Sequence, residues 1–151
     1  MAPRGYSGRL ARVDLTNRKV RDEPLEDRLT RDYIGGAGLA TRMLFDELRP
    51  GTDPLSPENK LAFLTGPVTA TPFPASTRYE VCTISPLTGI WLDSSSAGTW
   101  AAPLKRSGYD GLIVEGAADR PVYVSIRDGA VSIHDASHLW GQDALHVQDS
   151  I

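Results

Sequence analysis

Hydrophobic and polar positions alternate in many short runs of this chain, a period that is typical of half-buried β-strands. In residues 78–84, Tyr79 and Val81 face one way, whereas Arg78, Glu80 and Cys82 face the other. Further strands are predicted at residues 8–15, from Val20, at 61–67, from residue 90, and at 111–116, 121–129 and 130–135. The dipeptide Asp128-Gly129 is a strong hairpin signal between the last two.

A period near 3.6 residues predicts helices over residues 25–36 and 38–48. Residues 100–108 predict a short helix, because Pro103 is tolerated in a first turn, and another helix begins within residues 138–151. Predicted strands follow one another more often than they alternate with helices. The pattern therefore favours an α+β fold with mostly antiparallel β-sheets and a few short helices.

Composition narrows the class of protein. The 151 residues fit a single domain over residues 1–151, and a net charge of −3 argues mildly against nucleic-acid binding. One cysteine excludes an internal disulfide, and also a zinc site or iron–sulfur cluster held by this chain's cysteines alone. No apolar run approaches the roughly 18 residues of a membrane span, and the N-terminus lacks a signal-peptide core. A cytoplasmic protein is expected.

The segment GGAGLAT, residues 35–41, carries Gly36, Gly38 and Thr41 at the spacing G-x-G-x-x-T. A dinucleotide fingerprint needs a preceding strand and a third glycine, whereas here a helix is predicted to precede it. A turn between two helices is favoured. The alternative is a close approach of the backbone to some other ligand.

The segment DSSSAGTW, residues 93–100, places small residues between a predicted strand and a predicted helix start. Small residues and a helix N-terminus suit an anion such as phosphate. Alternatively, Ser95 or Ser96 simply caps the helix. The two interpretations are compatible.

Other polar residues give weaker signals. Local sequence favours Arg78 as an exposed charge at a strand end, and Cys82 as a small packing residue. The spacing of His134, His138 and His146 matches no helical metal motif, and surface positions are favoured. A serine–histidine–aspartate triad built on Ser94 and His138 lacks a G-x-S-x-G elbow.

Several segments carry a family resemblance. They are YSGRLARVDLT, YIGGAGLATRML, DPLSPENKLAFLTGP, TRYEV, SPLTG, LKRSGYDGLIVEGAADRPVYV and IHDASHLWG. In this order and spacing, the chain resembles the N-terminal domain of the tungsten-dependent aldehyde ferredoxin oxidoreductases. The resemblance implies a base of two β-sheets that holds two pterin-dithiolenes around tungsten or molybdenum, with magnesium at the pterin phosphates. It also implies oxidation of aldehydes to carboxylic acids, with electrons passing through a 4Fe-4S cluster to ferredoxin.

The resemblance also assigns site residues. Arg78 corresponds to an arginine between pterin and cluster. The loop at the pterin phosphates and their magnesium corresponds to Ser94, Ser95, Ser96, Ala97 and Gly98. The chain departs from the family at Ala37, where arginine is common, and at residues 95–98, where Asn-Ser-Gly-Gly is common. Backbone contacts would survive these changes, but side-chain contacts would not.

Length is the largest departure, because family members carry their cluster cysteines and acid–base residues in C-terminal domains. The domain is therefore expected to be truncated at its C-terminal end, inactive alone, and without catalytic residues or metal ligands of its own. Its expected partners are the cluster-bearing C-terminal domains or subunit, ferredoxin and an aldehyde. No nucleic acid or membrane is expected as a partner, and the sequence is compatible with a homo-oligomer. The alternatives are a non-catalytic remnant or interaction module, and part of a relative that reduces aromatic thioesters.

Overall fold

The computed structural model describes residues 4–151, in which short strands outnumber helices. The elements in chain order are β1 Arg9–Asp14, β2 Lys19–Pro24, α1 Asp27–Tyr33, α2 Gly36–Glu47, β3 Lys60–Thr65, β4 Tyr79–Ile84, β5 Trp91–Ser96, α3 Ala101–Arg106, β6 Gly111–Glu115, β7 Val122–Arg127, β8 Ala130–Asp135 and α4 Ala144–Ser150. The predicted α+β class is confirmed.

Six of the strands form one sheet in the order β2-β1-β6-β3-β4-β5, and β7 pairs with β8 in a separate two-stranded sheet. All neighbours are antiparallel except β1 and β6, which run parallel. Because β1 and β6 are far apart in sequence, no tight turn dictates their relative direction. Strands β2 and β5 are the two edges of the six-stranded sheet.

Apolar side chains on the two faces of the large sheet form two core clusters. On one face Leu10, Leu64 and Ile113 pack against Leu39 and Leu44 of α2. On the other face, residues of β1 and β6 pack against α3 and the β7–β8 hairpin. The sheet is thus covered by helices on one side and by a helix and a hairpin on the other.

Two predictions from local turn and helix signals are confirmed. The β7–β8 hairpin turns at Asp128 and Gly129, whose φ angles are 51° and 78°, as a tight turn of this kind requires. Pro103 lies in the first turn of α3, as predicted.

The glycine segment was placed incorrectly. The first helix was predicted to run to residue 36 and the second to begin at residue 38, but α1 ends at Tyr33 and α2 begins at Gly36. The turn itself is confined to Ile34 and Gly35. A Cβ at Gly35 would lie 2.9 Å from the Gly66 Cα, so the two backbone segments are in contact at Gly35. The helix α2 begins at the next residue.

The serine segment was also placed incorrectly. Ser94, Ser95 and Ser96 lie within β5, because that strand stays paired with β4 as far as Ser96 opposite Tyr79. The residue that precedes α3 is Trp100, and no side chain caps that helix. The serines therefore do not cap a helix.

Candidate functional site

A cleft of about 420 Å³ opens where the α1–α2 turn meets the β3–β4 connection and the start of β4. It is lined by residues 34–38, 64, 66–69, 75, 76 and 78–80. Its walls carry four glycines, at positions 35, 36, 38 and 66, so backbone rather than side chains forms much of its surface. Such a cleft lies within the size range of small-molecule sites, roughly 300–1,000 Å³.

Arg78 is the cation that lines this cleft. Its side chain is exposed, and Nη1 lies 3.3 Å from the Ser95 Oγ of the neighbouring strand. Among residues 4–151 no carboxylate oxygen lies within 4.0 Å of its guanidinium, so Arg78 forms no ion pair with these residues. The guanidinium therefore offers free donors to a ligand.

The pleat of β5 separates the three serines. Ser95 pairs with Glu80 and shares its face of the sheet, whereas Ser94 and Ser96 pair with Val81 and Tyr79 on the opposite face. None of the residues from 94 to 98 lines the cleft. Of the predicted loop residues, the structure brings only the Ser95 side chain to Arg78.

Ala97 and Gly98 follow the end of β5. Gly98 has a φ of 107°, and a Cβ added there would meet no atom within 4 Å. The backbone of this segment is thus open on at least one side, which is compatible with contacts that depend on main-chain groups.

Sequence reasoning missed Glu80 and the Gly66–Thr69 turn as parts of the cleft. Glu80 is half-buried and passes close to α2, since a Cβ at Gly36 would lie 3.0 Å from its Cγ. The period-two pattern had already put Glu80 on the face of Arg78, so this residue could have been found. The dipeptide Gly66-Pro67 is a local turn signal, but nothing in the local sequence places that turn against α2.

Comparison with known proteins defines the family. A sequence model described as "Aldehyde ferredoxin oxidoreductase, N-terminal domain" matches residues 10–151. The chain belongs to this family.

Family relatives cover nearly the whole chain. This chain is 43% identical over 147 residues to the tungsten-containing aldehyde ferredoxin oxidoreductase of Pyrococcus furiosus. It is 44% identical over 147 residues to the enzyme of the same name from Thermococcus kodakarensis. Each alignment covers 97% of this chain but 24% of the relative. The chain thus spans about a quarter of the length of the curated relatives it matches.

A solved structure of the same fold is described as the active site complex BamBC of benzoyl coenzyme A reductase, in complex with 1,5-dienoyl-CoA. Its TM-score is 0.94 at 36% identity, and the match covers 97% of this chain and 22% of that chain. The family thus includes proteins named for aldehydes and for an aromatic thioester.

The remaining candidates lie apart from the cleft. Cys82 is fully buried in β4, and burial, with added repulsion from Asp93 and Glu80, raises its thiol pKa to about 12. The prediction that it is a packing residue is confirmed.

Two histidines are held by local partners: His134 Nε2 lies 2.8 Å from the Ser125 Oγ, and His146 Nδ1 lies 2.7 Å from the Asp143 Oδ2. Residues 4–151 contain no group of three or more His, Cys, Asp or Glu side chains arranged for a metal ion. In the same residues, no helix has the length and apolar character to cross a membrane.

Proposed function

We propose that this chain is the cofactor-seating N-terminal part of a tungsten- or molybdenum-dependent oxidoreductase that oxidises aldehydes to carboxylic acids. The observation that carries the proposal is the guanidinium of Arg78, which has no carboxylate partner among residues 4–151 and opens on a cleft lined by glycines in a member of this family. When bound, a bis-pterin tungsten centre supplies the oxygen-transfer and two-electron chemistry.

The donor set fits such a group. A pterin bears ring oxygen and nitrogen acceptors, and its phosphate is anionic, so both suit the fork of Arg78 donors. The half-buried Glu80 carboxylate offers an acceptor for ring N–H groups on the same face of the sheet. Glycines at the walls let a planar ring approach the backbone closely.

The five residues of the serine segment have different roles in this proposal. Ser95 orients Arg78 through its Oγ. Ala97 and Gly98 would hold the phosphates and their magnesium ion through main-chain groups. Ser94 and Ser96 contribute backbone only, because their side chains lie on the opposite face.

A cleft of this size fits one pterin better than a complete bis-pterin cofactor. We infer that other domains or a second subunit enclose the remainder. They must also supply the cysteine ligands of a 4Fe-4S cluster, because the one cysteine of this chain is buried in a strand, and we place the docking of ferredoxin near that cluster. On this proposal, the isolated 151 residues are inactive.

Metal and pterin analysis tests the proposal. The longest natural chain that contains this sequence should be expressed with tungstate or molybdate, purified and analysed for bound metal and pterin. We expect both in the wild type and a several-fold loss in Arg78→Ala. The matched control is Arg28→Ala, because Arg28 is an exposed arginine on α1 whose one ion pair within residues 4–151 is with Asp32. A folded protein without metal or pterin would contradict the proposal and favour a non-catalytic remnant.

A second candidate has a specific observation in its favour. The fold match to a benzoyl coenzyme A reductase, at a TM-score of 0.94, makes reduction of an aromatic thioester the alternative reaction. Assays of the cofactor-loaded protein with aliphatic aldehydes and with benzoyl-CoA would separate the two, since each candidate predicts turnover of one class of substrate.

A further inference from the structure

Beneath the cleft, three side chains connect its two walls: Tyr6, Lys105 and Asp110. The Lys105 Nζ lies 5.3 Å from the centre of the Tyr6 ring and 2.5 Å from the Asp110 Oδ1. Both Lys105 and Asp110 are more than nine-tenths buried. The three side chains form one cluster, called here the Tyr6 cluster.

The cluster holds the first wall at Ile34. The Tyr6 hydroxyl donates to the Ile34 carbonyl oxygen at 2.5 Å. Ile34 has φ 64° and ψ −67°, and the Gly35 N–H donates to the Tyr33 carbonyl at 2.7 Å. This is the rarer, strained form of γ-turn, and its central residue is β-branched, for which positive φ is unfavourable. A strained turn persists only when surrounding contacts hold it.

The same cluster holds the second wall at Gly66. The Lys105 Nζ donates to the Gly66 carbonyl oxygen at 3.2 Å. Asp110 in turn accepts from the backbone N–H groups of Ser7 at 3.0 Å and Gly8 at 2.7 Å, which fixes the segment that carries Tyr6. Both walls of the cleft are thus tied to the Tyr6 cluster, in which Lys105 and Asp110 are buried and Tyr6 is half-buried.

We propose that Tyr6 and Lys105 are positioning residues of the cleft, which set the spacing between the Ile34–Gly35 turn and the Gly66 turn so that a planar cofactor fits between them. The inference rests on the proposed function for the identity of the ligand, but its geometric part concerns this chain alone. Neither residue lines the cleft, so both act through the backbone they hold.

The main test is Tyr6→Phe in the longest natural chain that contains this sequence. It removes one hydroxyl and keeps the ring beneath Lys105. Losing a hydrogen bond of this kind corresponds to about a 3- to 10-fold change in an equilibrium. We therefore expect the cofactor to be lost about 3- to 10-fold faster. The rate is measured from the release of tungsten and pterin into solution.

Amide hydrogen exchange of the cofactor-free protein gives a readout that does not need the cofactor. We expect exchange at residues 35–39 to speed up in Tyr6→Phe while the amides of β1 and β6 stay protected. The matched control is Tyr123→Phe, since Tyr123 stacks on His134 in the β7–β8 hairpin, away from the cleft. Unchanged exchange and unchanged cofactor loss in Tyr6→Phe would overturn the inference.

Coupling to Ile34 separates positioning from general destabilisation. Glycine adopts positive φ without strain, so Ile34→Gly should keep the turn without help from Tyr6. In that background, Tyr6→Phe should have little further effect. An effect of equal size in both backgrounds would also overturn the inference.

The second arm tests Lys105. Lys105→Met alone would leave the Asp110 carboxylate buried without its cation, so it is combined with Asp110→Asn. We expect this double variant to speed up amide exchange at residues 66–69 and to lose cofactor faster. Wild-type protein that folds but contains no cofactor would instead refute the proposed function, and the exchange measurements would still decide the geometric part.

Discussion

At the scale of single residues, the environment of each side chain decides its chemistry. Arg78 and Cys82 lie four residues apart on the same face of one strand, yet Arg78 is exposed and Cys82 is fully buried. Arg78 uses one donor on the Ser95 Oγ and keeps the others exposed, whereas the packed interior keeps the Cys82 thiol protonated. The strand therefore has an exposed cation at its start, where it lines the cleft, and an inert packing group in its middle.

The raised thiol pKa of Cys82 gives a testable prediction. With a pKa of about 12, the thiol is almost entirely protonated at pH 8, and it is also shielded from reagents. We expect an aromatic disulfide reagent to modify Cys82 only as fast as the protein unfolds, and rapidly in urea. Stoichiometric labelling of the folded protein at pH 8 would contradict this expectation.

At the scale of elements, the pleat of β5 determines which serine can contact Arg78 at the cleft. Adjacent residues of a strand point to opposite faces, so Ser95 reaches Arg78 while Ser94 cannot. As an edge strand, β5 has one side that no strand within residues 4–151 pairs with.

Two serine substitutions test this geometry in the cofactor-loaded protein. We expect Ser95→Ala to speed up cofactor loss about 2- to 5-fold, because Arg78 loses a hydrogen-bond partner that orients it. Ser94→Ala, one position away on the same strand, should have no measurable effect and is the control. A larger effect of Ser94→Ala than of Ser95→Ala would show that the cofactor contacts the other face.

At the scale of the whole molecule, one buried arginine connects five elements. Arg12 of β1 is 3% exposed and pairs with Glu23 at 2.8 Å, with Glu115 at 3.2 Å, and with Glu47 of α2. Lys60 of β3 joins the same carboxylates, at 2.5 Å from Glu47. This network links β1, β2, β3, β6 and α2 on the helix-covered face of the sheet. The three carboxylates are matched by Arg12, Lys60 and, at the rim, Arg21, so each group depends on the others.

Arg12→Met should destabilise the fold strongly. Removing one member of a buried ion pair costs about 3–5 kcal/mol, and the partial exposure of the glutamates puts the expected loss in the free energy of unfolding at about 3 kcal/mol. Arg21→Met is the control, since Arg21 is 61% exposed at the rim of the network and should cost less than about 1 kcal/mol. Urea unfolding curves give both values.

Acid adds a second readout of the network. Hydrogen bonds from Arg12 lower the pKa of Glu23, and for Glu47 those from Arg12 and Lys60 outweigh the opposing effect of burial. Because these pKa values are lower in the folded state, their stabilisation is full above the unfolded-state pKa and is lost as pH falls through the folded-state pKa. The wild type should therefore lose more stability than Arg12→Met on acidification. Equal losses would show that the network contributes little.

The sequence by itself determined the fold class, most strands, the hairpin at Asp128-Gly129 and the family, because periodicity, turn residues and motif order are local properties of the chain. The parallel pairing of β1 with β6, the entry of α2 at Gly36 and the separation of Ser95 from Ser94 were decided by tertiary structure. Pairing with β4 extends β5 as far as Ser96. The backbone contact between Gly35 and Gly66 limits the turn between α1 and α2 to two residues. The Tyr6 cluster joins residues about 100 positions apart in the chain, and such a contact exists only once the sheet has brought them together.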